Sequence, residues 1–301
     1  MHNKAYFSVK NHTMQHKTVI ITGANSGIGK ATAIALAKKG AHIVMVCRNP
    51  EKGAAAQKEI IAASKSNKVA IHLCDFSSQQ QIRQAAATLQ ECYPKIDVLL
   101  NNAGMIMHEK QLTEDGLEMT FAVDHLGYFL FTNLLLDTLR NTPNARIINV
   151  ASEAHRMVSK IDWDNLQAEK KFSQWGSYGL AKLGNILFTY ELAHQLNGTG
   201  ITVNCLHPGV VSTNFGQTGG WLKHAMSLIS WFLISPEKGA ETSIYLASSP
   251  DVATITGKYF DKKKASKSSA LSYDKAVAKK LWNISAKLTG LVVSDTAQTS
   301  T

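Results

Sequence analysis

The sequence predicts an α/β protein with a doubly wound parallel sheet, and three observations on its segments support this. Short apolar runs alternate with helical patterns from Lys17 onward, a glycine-rich turn joins the first run to the first helix, and no linker rich in Pro, Gly or Ser interrupts the 301 residues. Alternation of this kind predicts a parallel sheet with helices on both faces. We therefore expect a single domain over residues 17–291, between tails at 1–16 and 292–301.

Seven runs rich in β-branched and apolar residues predict the strands of that sheet. They cover residues 17–22, 42–47, 69–74, 96–101, 145–151, 201–206 and 257–260. Long helical segments are expected near residues 112–140 and 178–196. Ligands of such sheets lie at the carboxyl ends of the strands, where the strand order reverses. Candidate site residues are therefore those that follow the strands.

The turn after the first strand has the composition of a dinucleotide site. The strand KTVIIT is followed by TGANSGIG and then by the helical segment KATAIALAKK. Glycines let the backbone turn tightly and approach a pyrophosphate, and the helix N-terminus offers free N–H groups to that anion. The alternative is a plain strand-to-helix turn. The candidate contacts are Gly23, Asn25, Ser26, Gly27, Ile28 and Gly29.

The residue after the second strand indicates which nicotinamide cofactor is used. NAD sites place an acidic residue near this point to bind the ribose 2′-hydroxyl, whereas an Arg accommodates a 2′-phosphate. Here the strand HIVMVC ends at Arg48, so the sequence favours NADP(H). Asn25 and Lys30 are further candidates for contacts with that phosphate. The alternative is that Arg48 is a solvated loop residue.

A Tyr and a Lys four residues apart form the candidate catalytic pair. In a helix, Tyr178 and Lys182 lie on one face, one turn apart. A nearby ammonium favours the phenolate, so we expect Lys182 to lower the pKa of Tyr178 from about 10 toward the working pH. A Tyr of that kind acts as a general acid or base. The spacing alone is also met by ordinary surface pairs, and its position downstream of the glycine turn favours the catalytic interpretation.

Taken together, the motifs resemble those of the short-chain dehydrogenase/reductase family, whose members have a Rossmann fold. The spacing G-x-x-x-G-x-G, the segment NNAG, Ser152 after the strand RIINVA, the Tyr178–Lys182 pair and the segment HPG all occur in the family order. The resemblance covers about residues 17–291. It implies hydride transfer at a carbonyl or alcohol carbon. The further cofactor contacts that it implies are Arg48, Asp75 at the adenine ring, Phe76, Asn102, Ala103, Gly104, Tyr178, Lys182, Pro208, Gly209, Val211 and Thr213.

The resemblance also assigns roles to three catalytic residues. Tyr178 gives or takes the hydroxyl proton, and Lys182 lowers its pKa and holds the nicotinamide ribose. Ser152 donates a hydrogen bond to the substrate oxygen and stabilises the charge that builds on it. The alternative for Ser152 is a strand-end hydroxyl that satisfies a backbone group.

One catalytic position departs from the family. The segment FAVDHLGYF carries Asp124 where the family has an Asn that helps to hold a helix kink and a proton-relaying water. A carboxylate would partly offset the charge of Lys182 and raise the pKa of Tyr178, whereas a protonated Asp would mimic part of the amide. The alternative function is therefore a cofactor-binding protein with weak or no turnover. An epimerase or dehydratase of the extended type is disfavoured by the glycine spacing.

Several segments are similar to the retinol dehydrogenase-like branch of the family. These are ASEAHR, DHLGYF, YGLAKLGNILFTYELA and LWNISAKLTGL. The similarity implies an apolar substrate such as a retinoid, a steroid, a lipid aldehyde or a xenobiotic carbonyl compound. Residues 213–235 are expected to close over that substrate as a lid, with a core helix or a membrane-dipping helix as alternatives. The apolar residues suited to this role are Trp221, Met226, Leu228, Ile229, Trp231 and Phe232.

Charge and cysteine usage bear on partners and location. The net charge is +10, and residues 258–287 contain nine Lys and two Asp. This surface is either solvated or attracts anionic lipid, and no nucleic-acid motif accompanies it. The four Cys show neither disulfide nor metal spacing, which favours free thiols in a reducing compartment. The first sixteen residues lack the apolar core of a signal peptide.

From these features we expect a cytoplasmic protein, with peripheral membrane association as an alternative, and no metal. The two long helical segments are the usual dimer surfaces of the family. Their apolar run YFLFTNLLLDTL exceeds what one buried face requires. The sequence therefore also predicts a homodimer or homotetramer.

Overall fold

The computed structural model describes residues 13–209 and 234–292. Eight strands of that part form one sheet in the order β3-β2-β1-β4-β5-β6-β7-β8, parallel except for β8. The strands are β1 Thr18–Thr22, β2 His42–Cys47, β3 Val69–Leu73, β4 Val98–Asn101, β5 Arg146–Val150, β6 Thr202–His207, β7 Lys258–Asp261 and β8 Lys264–Ser266. The doubly wound α/β prediction is confirmed, and the order reverses between β1 and β4.

Helices cover both faces of the sheet. They are α1 Gly27–Lys38, α2 Pro50–Ser64, α3 Gln79–Cys92, α4 Met119–Phe121, α5 Gly127–Leu134, α6 Leu136–Arg140, α7 Gln174–Gln195, α8 Pro236–Ser248 and α9 Lys275–Leu288. One apolar core lies between the sheet and α1, α2 and α8, and the core on the other face includes α3, α5, α7 and α9. Each face of the sheet is thus supported by its own packed layer of helices.

The sequence missed the eighth strand because its turn has unusual chemistry. Lys262 and Lys263, between β7 and β8, have φ values of 47° and 65°. Turns with two such residues normally carry Asn-Gly, which adopts positive φ at low cost. A Lys-Lys pair gives no hairpin signal, so the sequence predicts only seven strands.

The long helix expected over residues 112–140 is shorter and interrupted. It begins at Met119, because Leu112 forms an isolated bridge with Glu118 instead. Residues Ala122–Leu126 form a π-helical turn between α4 and α5, and a non-helical Leu135 separates α5 from α6. π-helical turns within helices are frequent at functional sites, and this one contains Asp124.

The expected dimer surface is covered by the chain itself. Trp282 of α9 packs on the rings of Phe129 and Phe188, with centroids 4.9 Å and 5.7 Å away. α9 thus covers part of the apolar face of α5 and α7 that the sequence assigns to a second subunit. A dimer built on that face would require α9 to move.

One residue of the predicted N-terminal tail packs in the core. Met14, placed in the tail by the sequence, is buried in the core beside α1, and its backbone N–H donates to the Lys39 carbonyl. A single Met among polar residues has no periodicity, so it gave no signal. The lid at 213–235 lies almost wholly outside the described residues, as do Val211, Thr213 and most of both predicted tails.

Candidate active site

Two loops meet at the carboxyl ends of β1 and β4, and glycine permits their contact. A Cβ on Gly29 would lie 2.5 Å from the carbonyl oxygen of Gly23 and 2.6 Å from Nδ2 of Asn102. The hydroxyl oxygen of Thr22 accepts hydrogen bonds from the backbone N–H groups of Asn102 (2.8 Å) and Ala103 (2.9 Å). The glycine turn and the NNAG loop are therefore held as one unit.

The N-terminus of α1 has the properties of an anion site. Gly23 and Gly27 adopt φ values of 67° and 52°, which only glycine tolerates easily. Within the described chain, the N-cap residue Ser26 makes no side-chain capping bond and the first turn of α1 carries no acidic residue. The first N–H groups and the helix dipole thus remain suited to a pyrophosphate. Asn25 and Ile28 lie in the same turn, half-buried.

The end of β2 presents a cation at the position that distinguishes the two nicotinamide cofactors. The Arg48 side chain is 63% exposed, and its Nη1 lies 3.7 Å from Oδ2 of Asp75. The other Asp75 oxygen accepts from the backbone N–H and hydroxyl of Ser77. Lys30 is instead paired with Glu59, at 2.5 Å. Arg48 is therefore better placed than Lys30 to meet an added phosphate.

Phe76 lies close to this edge, yet its side chain belongs to the core. It packs against Phe131 with ring centroids 5.3 Å apart. A Cβ on Gly127 would come within 2.7 Å of its ring. Only the backbone of Phe76 is therefore left for a cofactor contact.

Ser152, Tyr178 and Lys182 come together beyond the end of β5. Ser152 is the N-cap of a short 3-10 helix, Glu153–Met157, and its side chain is hydrogen-bonded to Tyr178. The ammonium of Lys182 lies 5.4 Å from the centroid of the Tyr178 ring. A hydroxyl, a phenol and an ammonium thus lie close together at the carboxyl edge of the sheet. Pro208 and Gly209 follow β6 at the same edge, where Gly209 has a φ of 91°.

Asp124 forms a buried ion pair with Lys182. Its Oδ2 lies 2.9 Å from Nζ of Lys182, and both side chains are almost wholly excluded from solvent. Its Oδ1 accepts a 2.7 Å hydrogen bond from the backbone N–H of Met105. A Cβ on Gly104 would lie 2.9 Å from Oδ2 and 3.3 Å from Nζ, so the glycine of NNAG leaves room for this pair.

The pKa of Tyr178 is shifted upward, whereas the sequence predicts a downward shift. Burial raises the pKa of Tyr178; Lys182 lowers it and Asp124 raises it further, so the net pKa lies above its ordinary value. The prediction that Lys182 brings this pKa toward neutrality is wrong for this structure, because burial outweighs the ammonium. Burial alone would lower the pKa of Lys182, but the Asp124 carboxylate and two Tyr side chains raise it overall.

Two supporting residues were missed by sequence reasoning. The buried Tyr128 donates a 2.7 Å hydrogen bond to the Ala103 carbonyl and so fixes the NNAG loop. The buried His125 contacts Ser285 Oγ of α9 at 3.0 Å. It also contacts Asn185 Oδ1 at 3.4 Å. For His125, the sequence offers one indication, a His within an apolar helical run.

His125 gives a prediction for stability against pH. Burial lowers its pKa to about 4, whereas a His in an unfolded chain has a pKa near 6.5. The unfolded state then binds more protons as pH falls, so this contribution to the free energy of unfolding is full above about pH 6.5 and is lost toward pH 4. The loss is about 3 kcal/mol. Denaturant unfolding of the parent and of His125→Asn between pH 7.5 and 4.5 measures it.

The two proteins should converge in stability as the pH falls over this range. The exposed His194→Asn variant is the control and should follow the parent. Parallel losses in the parent and in His125→Asn would show that His125 does not titrate in this way.

The described residues also bear on the predictions for metal ligands, cysteines and membrane contact. No group of three or more His, Cys, Asp or Glu side chains in residues 13–209 and 234–292 is placed to hold a metal ion. The four Cys are free thiols, as the sequence predicts; three of them are buried and Cys92 is exposed. Within the same ranges, no helix has both the length and the apolar character to cross a bilayer.

The fold and the site together define a class of protein. A doubly wound sheet, a glycine turn opening α1 and a Ser, Tyr and Lys at the same edge are the framework of a dinucleotide-dependent oxidoreductase. Over residues 17–219 the sequence matches the model of the short chain dehydrogenase family. The chain belongs to this family and is an oxidoreductase of the retinol dehydrogenase-like kind.

Its similarity to known proteins extends over nearly the whole chain. It is 43% identical over 286 residues to retinol dehydrogenase 13 of Homo sapiens, which covers 93% of this chain and 86% of that protein. Retinol dehydrogenase 14 of Homo sapiens is 40% identical over 296 residues, covering 93% and 88%. A crystal structure of an uncharacterised protein from Mycobacterium paratuberculosis has a TM-score of 0.75 and 30% identity, covering 92% of this chain and 95% of that one.

Proposed function

We propose that this protein is an NADP(H)-dependent oxidoreductase that transfers a hydride between the nicotinamide and the carbonyl or alcohol carbon of an apolar substrate. The observation that carries the proposal is the meeting of Ser152, Tyr178 and Lys182 beside the glycine turn. Nicotinamide supplies the hydride when it is bound. The protein's own residues have to bind it, orient the substrate and move one proton.

Each catalytic side chain has a task that its surroundings support. The Tyr178 phenol, with a pKa raised by burial, is protonated at neutral pH and suited to donate its proton to a carbonyl oxygen during reduction. Ser152 is hydrogen-bonded to that phenol, so both groups are positioned for the same substrate oxygen. Lys182 lies below the ring and offers its ammonium to the phenolate and to the nicotinamide ribose.

Cofactor choice is proposed to depend on Arg48, with Asp75 near the adenine ring. Replacing Arg48 with alanine should weaken NADPH binding about 10- to 100-fold, because a hydrogen bond to a charged group contributes about 1.5–3 kcal/mol. NADH lacks the 2′-phosphate, so its binding should change little. Fluorescence titration of both cofactors measures the difference.

Arg140→Ala is the matched control, since it removes another surface Arg that pairs with Asp137 far from the glycine turn. Equal weakening of NADPH and NADH by Arg48→Ala would show that Arg48 does not recognise the 2′-phosphate.

An apolar substrate is supported by the surface beside Tyr178 and by the relatives' names. Met157 and Trp175 are 63% and 52% exposed although they are large and apolar. The Trp175 ring packs edge-on against Tyr178, with centroids 6.2 Å apart. Retinoids, steroids, lipid aldehydes and xenobiotic carbonyl compounds are the proposed classes, and a carbonyl reductase activity is included.

The test is NADPH oxidation, followed by absorbance, against apolar aldehydes and ketones including retinal, with NADH in parallel. Turnover that depends on NADPH supports the proposal and ranks the substrate classes. NADPH binding without any turnover would instead favour a second candidate function, a cofactor-binding protein with weak or no catalysis. The buried Asp124–Lys182 ion pair is the observation that favours this second candidate.

The remaining features are proposed as follows. The catalytic domain extends over residues 17–291, and the buried Met14 packs against it. A homodimer or homotetramer would form through faces that α9 leaves uncovered. The four free thiols are consistent with the cytoplasm, and the Lys-rich residues 258–287 offer a surface for peripheral membrane contact.

A further inference from the structure

His155, in the turn that follows Ser152, is buried and makes a hydrogen bond with each ring nitrogen. Its Nδ1 lies 2.6 Å from the carbonyl oxygen of Ser152, and its Nε2 lies 3.0 Å from the backbone nitrogen of Ser269. A carbonyl only accepts and a backbone N–H only donates. The ring is therefore neutral, with its proton on Nδ1, and it joins Ser152 to the segment before α9.

The turn that contains His155 makes two more hydrogen bonds to the C-terminal part of the domain. The Tyr259 hydroxyl donates a 2.6 Å hydrogen bond to Glu153, and Arg156 donates a 2.7 Å bond to the Lys267 carbonyl. The Tyr259 ring also packs against His155, with centroids 5.3 Å apart. On the other side, a Cβ on Gly179 would lie 2.9 Å from the Ala154 carbonyl, so the turn is pressed onto α7 next to Tyr178.

The segment that holds His155 is itself fixed to α7. Ser268 Oγ lies 2.8 Å from the Tyr190 hydroxyl of α7 and 2.6 Å from Ser272 Oγ. The Ser268 backbone N–H donates to Tyr273, whose ring stacks on Tyr190. This anchor lies beyond residue 219, where the match to the family model ends.

We infer that His155 is a positioning residue for Ser152, and that it transmits to Ser152 the position of the C-terminal anchor at residues 266–273. The inference rests on the proposed function for Ser152. His155 does not reach the substrate; it fixes the Ser152 carbonyl through Nδ1, while the Ser152 hydroxyl accepts from the Ala154 N–H of the same turn. Loss of this bond lets the hydroxyl drift away from the point that it shares with Tyr178.

The experiment is a double-mutant cycle with His155→Phe and Ser152→Ala. The Phe ring keeps the packing on Tyr259 and removes both hydrogen bonds. Because a displacement of about 1 Å costs about 100-fold in rate, we expect kcat to fall about 10- to 100-fold while the Kd for NADPH stays unchanged. In the Ser152→Ala background the same change should have almost no effect, since a residue that acts only through Ser152 is not additive with it.

Two further variants keep the test independent of folding defects. Ser269→Pro removes the N–H that donates to His155, at a φ of −66° that proline adopts. It also removes the Ser269 hydroxyl, which is buried without a hydrogen-bond partner, and it should lower kcat about threefold or more. His155→Gln restores a donor and an acceptor and should recover part of the rate. His72→Phe is the control, since it removes a His that contacts Tyr93 at the far edge of the sheet.

A readout besides activity separates this inference from the proposed function. NMR of 15N-labelled histidine should show the Nδ1–H tautomer for a signal that His155→Phe deletes and Ser269→Pro shifts. If the parent turns over no carbonyl compound, the proposed function fails. The NMR spectrum still shows whether His155 joins Ser152 to Ser269 through its two hydrogen bonds. Multiplicative losses in the double mutant, or an Nε2–H tautomer, would overturn the inference.

Discussion

Replacing Tyr178 with phenylalanine should lower kcat about 1,000-fold, because proton transfer by a positioned side chain contributes about 100- to 10,000-fold. The Phe ring keeps the contact with Trp175 and the place above Lys182, so the fold and the cofactor cradle should be preserved. The Kd for NADPH should therefore change less than about fivefold, since one lost hydrogen bond contributes about 1 kcal/mol. Steady-state rates and fluorescence titration measure the two effects separately.

Tyr245→Phe on α8 is the matched control, because it removes the same hydroxyl from a half-buried Tyr on the opposite face of the sheet. It should leave kcat near the parent value. If Tyr178→Phe keeps more than about a tenth of the parent activity, Tyr178 is not the proton donor. A loss of less than about tenfold is smaller than the loss expected when a general acid is removed.

The fold and the composition of the site could be predicted because their signals are local in the sequence. A buried parallel strand is a short β-branched run, and all seven predicted strands occur in the structure with ends shifted by at most two residues. The glycine turn, Arg48 and the Tyr178–Lys182 pair each sit at the end of such an element. Knowing the order of the elements therefore places these residues at one edge.

What could not be predicted depends on contacts between distant segments. The pKa of Tyr178 is set by how deeply the ring is buried, and no residue spacing records that depth. His155 gains its role only when Ser269 folds against it. Likewise, the sequence assigns the apolar surplus of α5 and α7 to a second subunit, and no residue pattern shows that Trp282 of α9 packs on Phe129 and Phe188.

The Asp124–Lys182 ion pair should stabilise the fold and slow alcohol oxidation. Asp124→Asn removes a carboxylate 2.9 Å from a buried ammonium, and the amide cannot replace its charge. Breaking a buried pair on one side costs about 3–5 kcal/mol. We therefore expect the free energy of unfolding to fall by about 3 kcal/mol at neutral pH, measured by denaturant unfolding. The exposed Asp137→Asn, which also breaks an ion pair, should change it by less than about 0.5 kcal/mol.

The effect of the same substitution on activity should be a gain where Tyr178 must be deprotonated. Asp124 raises the pKa of Tyr178, so its removal lowers that pKa. Alcohol oxidation needs the phenolate as base, and its rate rises with pH up to that pKa. The rising limb of the pH–rate profile should therefore move to lower pH in Asp124→Asn, giving faster oxidation at neutral pH. A variant no faster than the parent at any pH would show that Asp124 does not restrain catalysis, and the second candidate function would lose its support.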